Sequence, residues 1–158
     1  MPSITPNLWF DDQGLPAAEF YCSVFPNSKI NAVSYYGDAG PGPAGSVLTV
    51  TFELDGHPYT ALNGGPMFVF NEAVSFLIGC KDQDEVDYYW DKLTADGGEE
   101  SQCGWLKDKF GLWWQVVPAG FERLMTDADQ EAATRAMKAM LGMKKLDLAE
   151  LQAAFDGR

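Results

Sequence analysis

The sequence predicts an α+β fold: two βαβββ modules in tandem, residues 1–66 and 67–120, followed by a C-terminal helical extension over residues 121–158. Three observations carry this expectation. The first part reads strand, helix, strand, strand, strand; the same order returns at an offset of 68 residues; and after Pro118 the patterning changes to helices rich in Ala and Met.

Ile4 to Phe10 is a β-rich run ended by Asp11-Asp12-Gln13-Gly14. Pro16 to Phe25 then sets Ala17, Phe20, Tyr21 and Val24 at helical spacing, and Pro26-Asn27 stops the helix. Ser28 to Tyr36 reads as a second strand. Gly37 to Gly45, with four Gly and two Pro in nine residues, reads as a mobile loop. Ser46 to Leu54 alternates Val47, Thr49 and Thr51 against Leu48, Val50 and Phe52, and Asp55-Gly56 supplies a tight hairpin turn before Pro58 to Asn63 returns.

In the second module Val74 to Gly79 is a strand. Asp84 to Thr94 is a helix with Val86, Tyr89, Trp90 and Leu93 inward, capped by Asp82 or Asp84 and closed by Gly97-Gly98. Glu100 to Trp105 and Leu112 to Val117 read as strands joined by a hairpin containing Leu106-Lys107-Asp108. The offset lays Leu8–Phe10 on Phe76–Ile78, Phe20-Tyr21 on Tyr88-Tyr89, and Phe25 on Leu93. In the extension, Thr126 or Asp127 is expected to cap a helix whose apolar stripe is Ala133, Ala136, Met137, Met140 and Leu141. Asp147-Leu148-Ala149-Glu150 opens a last short helix, and the stripe is expected to pack on the parent domain or on a partner subunit.

Composition narrows the functional classes. With 11 Lys+Arg against 23 Asp+Glu the net charge is −12, and no basic cluster exceeds Lys144-Lys145, so nucleic acid and anionic lipid are not expected partners. A hydrophobic content of 46% with 13% aromatic residues excludes intrinsic disorder. No run approaches the roughly 18–20 apolar residues of a membrane span, and no basic region followed by an apolar run marks a secretory leader at Met1. Cys22, Cys80 and Cys103, odd in number and widely spaced, read as reduced thiols of a cytoplasmic protein.

Several linked segments are more specific: Ile4-Thr5-Pro6-Asn7-Leu8-Trp9-Phe10-Asp11, Val24-Phe25-Pro26-Asn27-Ser28, Leu62-Asn63-Gly64-Gly65-Pro66, Phe70-Asn71-Glu72-Ala73-Val74-Ser75 and Cys103-Gly104-Trp105-Leu106-Lys107-Asp108-Lys109-Phe110-Gly111. Together they resemble the PhnB-like family of the glyoxalase/bleomycin-resistance/dioxygenase group, the vicinal oxygen chelate superfamily. The resemblance implies paired βαβββ modules that curl mixed sheets around a cavity, and a homodimer. Members often carry a demethylubiquinone methyltransferase label. A transferase using S-adenosylmethionine needs a Gly-rich strand-to-helix turn, whereas Gly40-Pro41-Gly42-Pro43-Ala44-Gly45 leads into a strand, so that activity is not expected. Phosphonate binding would want Arg or Lys in the pocket, and only Lys107 and Lys109 lie near.

The superfamily's enzymes hold one divalent ion with His, Glu or Gln from the opening and closing strands, and the resemblance assigns Gln115 and Glu72 to two such positions. Near Thr5 to Asn7 no ligand of that kind occurs. His57, the single histidine, follows a turn and has no second His to pair with. Two ligands make a poor transition-metal site. The first expectation is therefore a small-molecule-binding protein with an aromatic-lined cavity and no tight metal site. Trp9, Asn63, Asn71, Ser75, Cys103, Trp105, Trp113 and Gln115 are its expected ligand contacts. The alternative is a divalent-metal-dependent glyoxalase- or dioxygenase-type enzyme, with Glu72 and Gln115 as ligands to one ion and a substrate carrying vicinal oxygens. Cys103 lacks a general base nearby in sequence and reads as a structural thiol. The acidic residues of Asp82 to Asp91, and Asp108 in the last hairpin, read mostly as solvated surface.

Overall fold

The computed structural model describes residues 1–158, and the chain divides into two compact units, Met1–Phe70 and Asn71–Arg158. The first contains β1 (Asn7–Phe10), α1 (Gly14–Val24), β2 (Lys29–Tyr35), β3 (Val47–Leu54) and β4 (His57–Asn63). Its sheet runs β1-β4-β3-β2, with β1 parallel to β4 and the other pairs antiparallel. Strand parity sends Leu8, Phe10, Val50, Phe52, Leu54 and Ala61 into the core, where Ala17, Ala18, Tyr21 and Val24 of α1 are also buried. Tyr21 stacks on Phe52 at 6.5 Å between ring centroids. The predicted hairpin turn is present: Asp55 and Gly56 both take positive φ, at 48° and 78°. The opening strand is shorter than its β-rich run, because pairing begins only where Thr60 N donates to Pro6 O at 2.9 Å, and Ile4 lies exposed.

The second unit repeats the plan with β5 (Phe76–Cys80), α2 (Gln83–Thr94), β6 (Glu99–Glu100), β7 (Trp105–Lys107) and β8 (Trp113–Pro118), in the order β5-β8-β7-β6. Val86, Tyr89, Trp90 and Leu93 of α2 are buried, as are Leu106, Trp114 and Val116 of the sheet. Tyr21 and Tyr89, matched by the sequence offset, are both buried helix residues. Asp82 caps α2, accepting from Glu85 N at 2.9 Å.

The expected strand Glu100 to Trp105 is interrupted. Cys103 and Gly104 take positive φ, at 60° and 86°, and donate their N–H groups to Met143 O and Lys144 O, both at 2.8 Å. Those donors serve the C-terminal segment instead of a neighbouring strand. A Cβ on Gly104 would lie 3.0 Å from both Val116 O and a Leu146 methyl, so the close approach and the left-handed backbone both select glycine.

The extension holds α3 (Phe121–Met125), α4 (Gln130–Leu141) and α5 (Leu148–Asp156). Asp129, not Thr126 or Asp127, caps α4. Thr126 instead bonds Glu122 O at the end of α3, and Asp127 accepts from Asp129 N in the turn between the helices. Asp147 caps α5 as expected. Leu124, Ala136, Met143, Leu146 and Leu151 form a buried cluster with Met140 packed against it, while Met137 and Leu141 of the expected stripe are exposed. The extension packs on its own unit. The Gln83 amide donates to Leu146 O at 3.0 Å and accepts from Leu148 N at 2.8 Å, and Lys145 pairs with Asp87 at 2.8 Å.

That pair makes the docking pH-dependent. The hydrogen bond from Lys145, then that from Gln83, holds the Asp87 carboxyl below its usual value, and the bond to Asp87 raises Lys145. The Asp87 contribution is present above the ordinary carboxylate range and is lost as pH falls through the lowered native value. The Lys145 contribution is present below the ordinary lysine value and is lost as pH rises through the raised one. Both side chains are about two-fifths exposed (42% and 37%), so solvent screening limits the pair to about 1 kcal/mol or less. Lys145→Met is expected to lower stability by no more than that at neutral pH in urea titrations, with the gap closing in acid once Asp87 is protonated in the folded state. A gap that persists there would assign the loss to packing of the lysine stem.

Candidate functional site

In both sheets the helix covers one face and strand alternation leaves chemistry on the other. In the first unit Trp9 is paired in register with Leu62, and Leu62 with Thr49. The Trp9 indole N–H donates to Gly65 O at 2.9 Å, and Phe68 meets the ring edge-on at 4.9 Å. Gly64 lies against the indole so closely that a Cβ there would collide with the ring. Trp9 is thereby fixed in orientation while remaining half-buried. Beside it opens a cleft of about 500 Å3, lined by Trp9, Leu48, Leu62, Gly64, Tyr36 and the first part of the Gly- and Pro-rich segment. That segment joins β2 to β3, and its Gly40 and Gly42 lie against the Tyr36 ring. A second cleft of about 520 Å3 shares Tyr36, Pro41 and Gly64 with the first and is lined also by Asp11, Asp12 and Asn63.

Asn63, only 8% exposed, stands next to Leu62 and so belongs to the covered face of the sheet. Its Oδ1 accepts from Gly14 N at 2.8 Å, its Nδ2 donates to Val47 O at 3.2 Å, and its carbonyl receives the Tyr36 hydroxyl. Both ends of the amide therefore hold the start of α1 to the start of β3.

In the second unit four expected contacts come together. Gln115 is paired in register with Trp105 and donates from Nε2 to Ser75 Oγ at 2.9 Å, and Trp113 shares its face by strand parity. Lys107 lies over the Trp113 ring at 6.0 Å from its centroid and pairs with Glu99 at 3.2 Å. Cys103 is elsewhere: its thiol is directed at Met140 O at 3.6 Å, in the turn that receives the extension. Asn71 is exposed and accepts from Ala73 N in a local turn, and Glu72 is exposed beside it.

Asp108 departs from the expectation of solvated acid. It is 1% exposed, Oδ1 accepting from Phe110 N at 2.8 Å and Leu112 N at 3.1 Å, and Oδ2 from Trp114 Nε1 at 2.8 Å. Burial, with Glu85 and Asp82 adding to it, pushes the Cys80 thiol up to about 12, leaving it protonated and inert. Tyr36, Leu48, Leu62 and Gly64 line the cleft although none is among the ligand contacts expected from sequence. The available signals were the parity that sets Leu62 opposite Trp9 and the tyrosine at the head of a Gly-rich segment.

Paired βαβββ units of this topology define the glyoxalase/bleomycin-resistance class of fold. Solved structures agree: FosX, a fosfomycin resistance protein from Listeria monocytogenes complexed with Mn(II) and sulfate, has a TM-score of 0.54 at 16% identity, covering 78% of this chain and 94% of that one. Protein PA1353 from Pseudomonas aeruginosa has a TM-score of 0.62 at 19% identity, covering 75% and 98%. The PhnB protein from Bacillus cereus is 32% identical, with a TM-score of 0.68, over 75% of this chain and 100% of that chain. The family model described as 3-demethylubiquinone-9 3-methyltransferase matches residues 2–117, and the chain belongs to this PhnB-like family. No curated protein matches it.

The fold class implies a divalent ion, and the donor set here is poor for one. No three His, Cys, Asp or Glu side chains stand close enough to hold a metal, His57 is exposed at the start of β4, and Gln115 offers only a neutral amide oxygen, its Nε2 donating to Ser75. No helix is long and apolar enough to cross a membrane.

Proposed function

We propose that this protein binds a small, planar and largely apolar molecule on the aromatic open faces of its sheets, without a tight metal site. The observation that carries the reading is the cleft over Trp9, whose indole is held by Gly65 and Phe68 and whose walls are predominantly apolar. A fixed ring needs no ordering when a ligand stacks on it, so the entropic cost of binding is small. Trp105 and Trp113, with Gln115 and Ser75 as polar partners, offer a second surface of the same kind in the other unit.

Calorimetric titration with naphthalene-based probes is expected to show saturable binding, weakened at least tenfold by Trp9→Ala. Binding insensitive to Trp9→Ala would move the site to the Trp105 and Trp113 face, and no binding to either would overturn the reading. Parallel titrations with Zn(II), Mn(II), Ni(II) and Fe(II) are expected to show no stoichiometric site. Tight binding abolished by Glu72→Ala and Gln115→Ala would replace this reading with a metal-dependent enzyme acting on vicinal oxygens.

A homodimer accords with the large apolar side chains left exposed at Met67, Phe68 and Val69 in one unit and at Val74 and Leu77 in the other. Sedimentation at micromolar concentration tests it, and a monomer would overturn it. A reducing, cytoplasmic setting accords with three unpaired thiols at Cys22, Cys80 and Cys103.

A further inference from the structure

Resting on the reading of the Trp9 cleft as the ligand site, we infer that its ligand is cationic, an aromatic or apolar body bearing an ammonium or amidinium group. The two clefts of the first unit share the wall formed by Tyr36, Pro41 and Gly64, and their chemistry differs across it. On one side Trp9, Leu48 and Leu62 stand with the single carboxylate of Asp38, and on the other are the carboxylates of Asp11 and Asp12. A molecule that spans the wall meets an apolar floor and three negative charges, the recognition pattern of an amphipathic cation.

The fold makes no other use of these carboxylates. None takes part in an ion pair, no side chain caps α1, and the first N–H of that helix is occupied by Asn63. No Lys, Arg or His lines either cleft, so an anionic ligand would be desolvated against three carboxylates with nothing to compensate it. The net charge of −12 extends the same bias to longer range, attracting cations and repelling anions.

Three probes of one ring system separate charge from shape: 1-naphthylmethylamine, 1-naphthalenemethanol and 1-naphthoic acid, titrated into the full chain by calorimetry at low salt. The amine is expected to bind at least tenfold more tightly than the acid, with the advantage shrinking in high salt. Asp11→Asn combined with Asp12→Asn is expected to weaken the amine at least fivefold, leaving the alcohol and the Tm unchanged. An acid that binds as tightly as the amine, or a double variant that leaves the amine unaffected, overturns the inference. Alcohol binding that depends on Trp9 without charge discrimination overturns this inference alone. No Trp9-dependent binding by any of the three overturns the site reading as well.

Discussion

Replacing Asp108 by alanine is expected to remove about 3–5 kcal/mol of stability, roughly 10 °C in Tm for a domain of this size. One carboxylate, 1% exposed, accepts from Phe110 N, Leu112 N and Trp114 Nε1, and its own backbone closes the same turn through Asp108 N to Leu112 O at 2.9 Å and Gly111 N to Asp108 O at 2.9 Å. Alanine leaves these donors without their acceptor, and leaving a buried donor unpaired costs more than the net worth of a hydrogen bond. Asp108→Asn is expected to recover part of the loss. Its single carbonyl can serve the two backbone donors, but its NH2 then faces the indole N–H. Thermal and urea unfolding check both, and a loss below about 0.5 kcal/mol in Asp108→Ala would sink the account.

Asn63→Ala is expected to cost about 2–3 kcal/mol, measured by the same unfolding transitions. The substitution orphans Gly14 N and Val47 O together, at the point where α1 and β3 are both anchored. Asn63→Asp adds a distinct signature. It keeps an acceptor for Gly14 N but sets a carboxylate oxygen against Val47 O in a buried site, so its native carboxyl value is expected to rise above the unfolded one. The native state then binds more protons than the unfolded state, and stability is expected to increase as pH falls from neutral towards about 4. Stability that instead falls on acidification in parallel with the parent protein would show that the amide donor matters little.

Much of this architecture is legible in the residues themselves. Asp55-Gly56 specifies a hairpin by its tolerance of positive φ, the alternation of Val47 to Leu54 specifies a half-covered strand, and the aromatic matches at an offset of 68 announce the repeated unit. Local stereochemistry and side-chain period suffice for these. The same parity put Trp113 and Gln115 on one face and Trp114 and Val116 on the other, as the burial pattern has it. Parity also separates Trp9 from Asn63, since neighbouring registers pair Trp9 with Leu62 and Phe10 with Asn63.

Other features depend on how segments close on one another in space. Whether Asp108 is solvated or buried depends on Trp114 folding back across the hairpin, and composition counts both outcomes as one acidic residue. The break after Glu100 arises because Cys103 and Gly104 give their N–H groups to residues about 40 positions later. Local propensity has no access to that competition. The stripe of α4 was readable as amphipathic, but the cluster around Leu124, Leu146 and Leu151 decided which of its members are covered.

By itself, then, the sequence determined the repeated βαβββ order, the hairpin turn, the capping Asp147 and the family, because each rests on near neighbours or on linked motifs. Only the tertiary structure decided that Tyr36, Leu62 and Gly64 share a cleft with Trp9, and that Asp11 and Asp12 stand across its wall. A cleft is made by segments that meet in space, and strand pairing between residues about 50 positions apart is what brings these together.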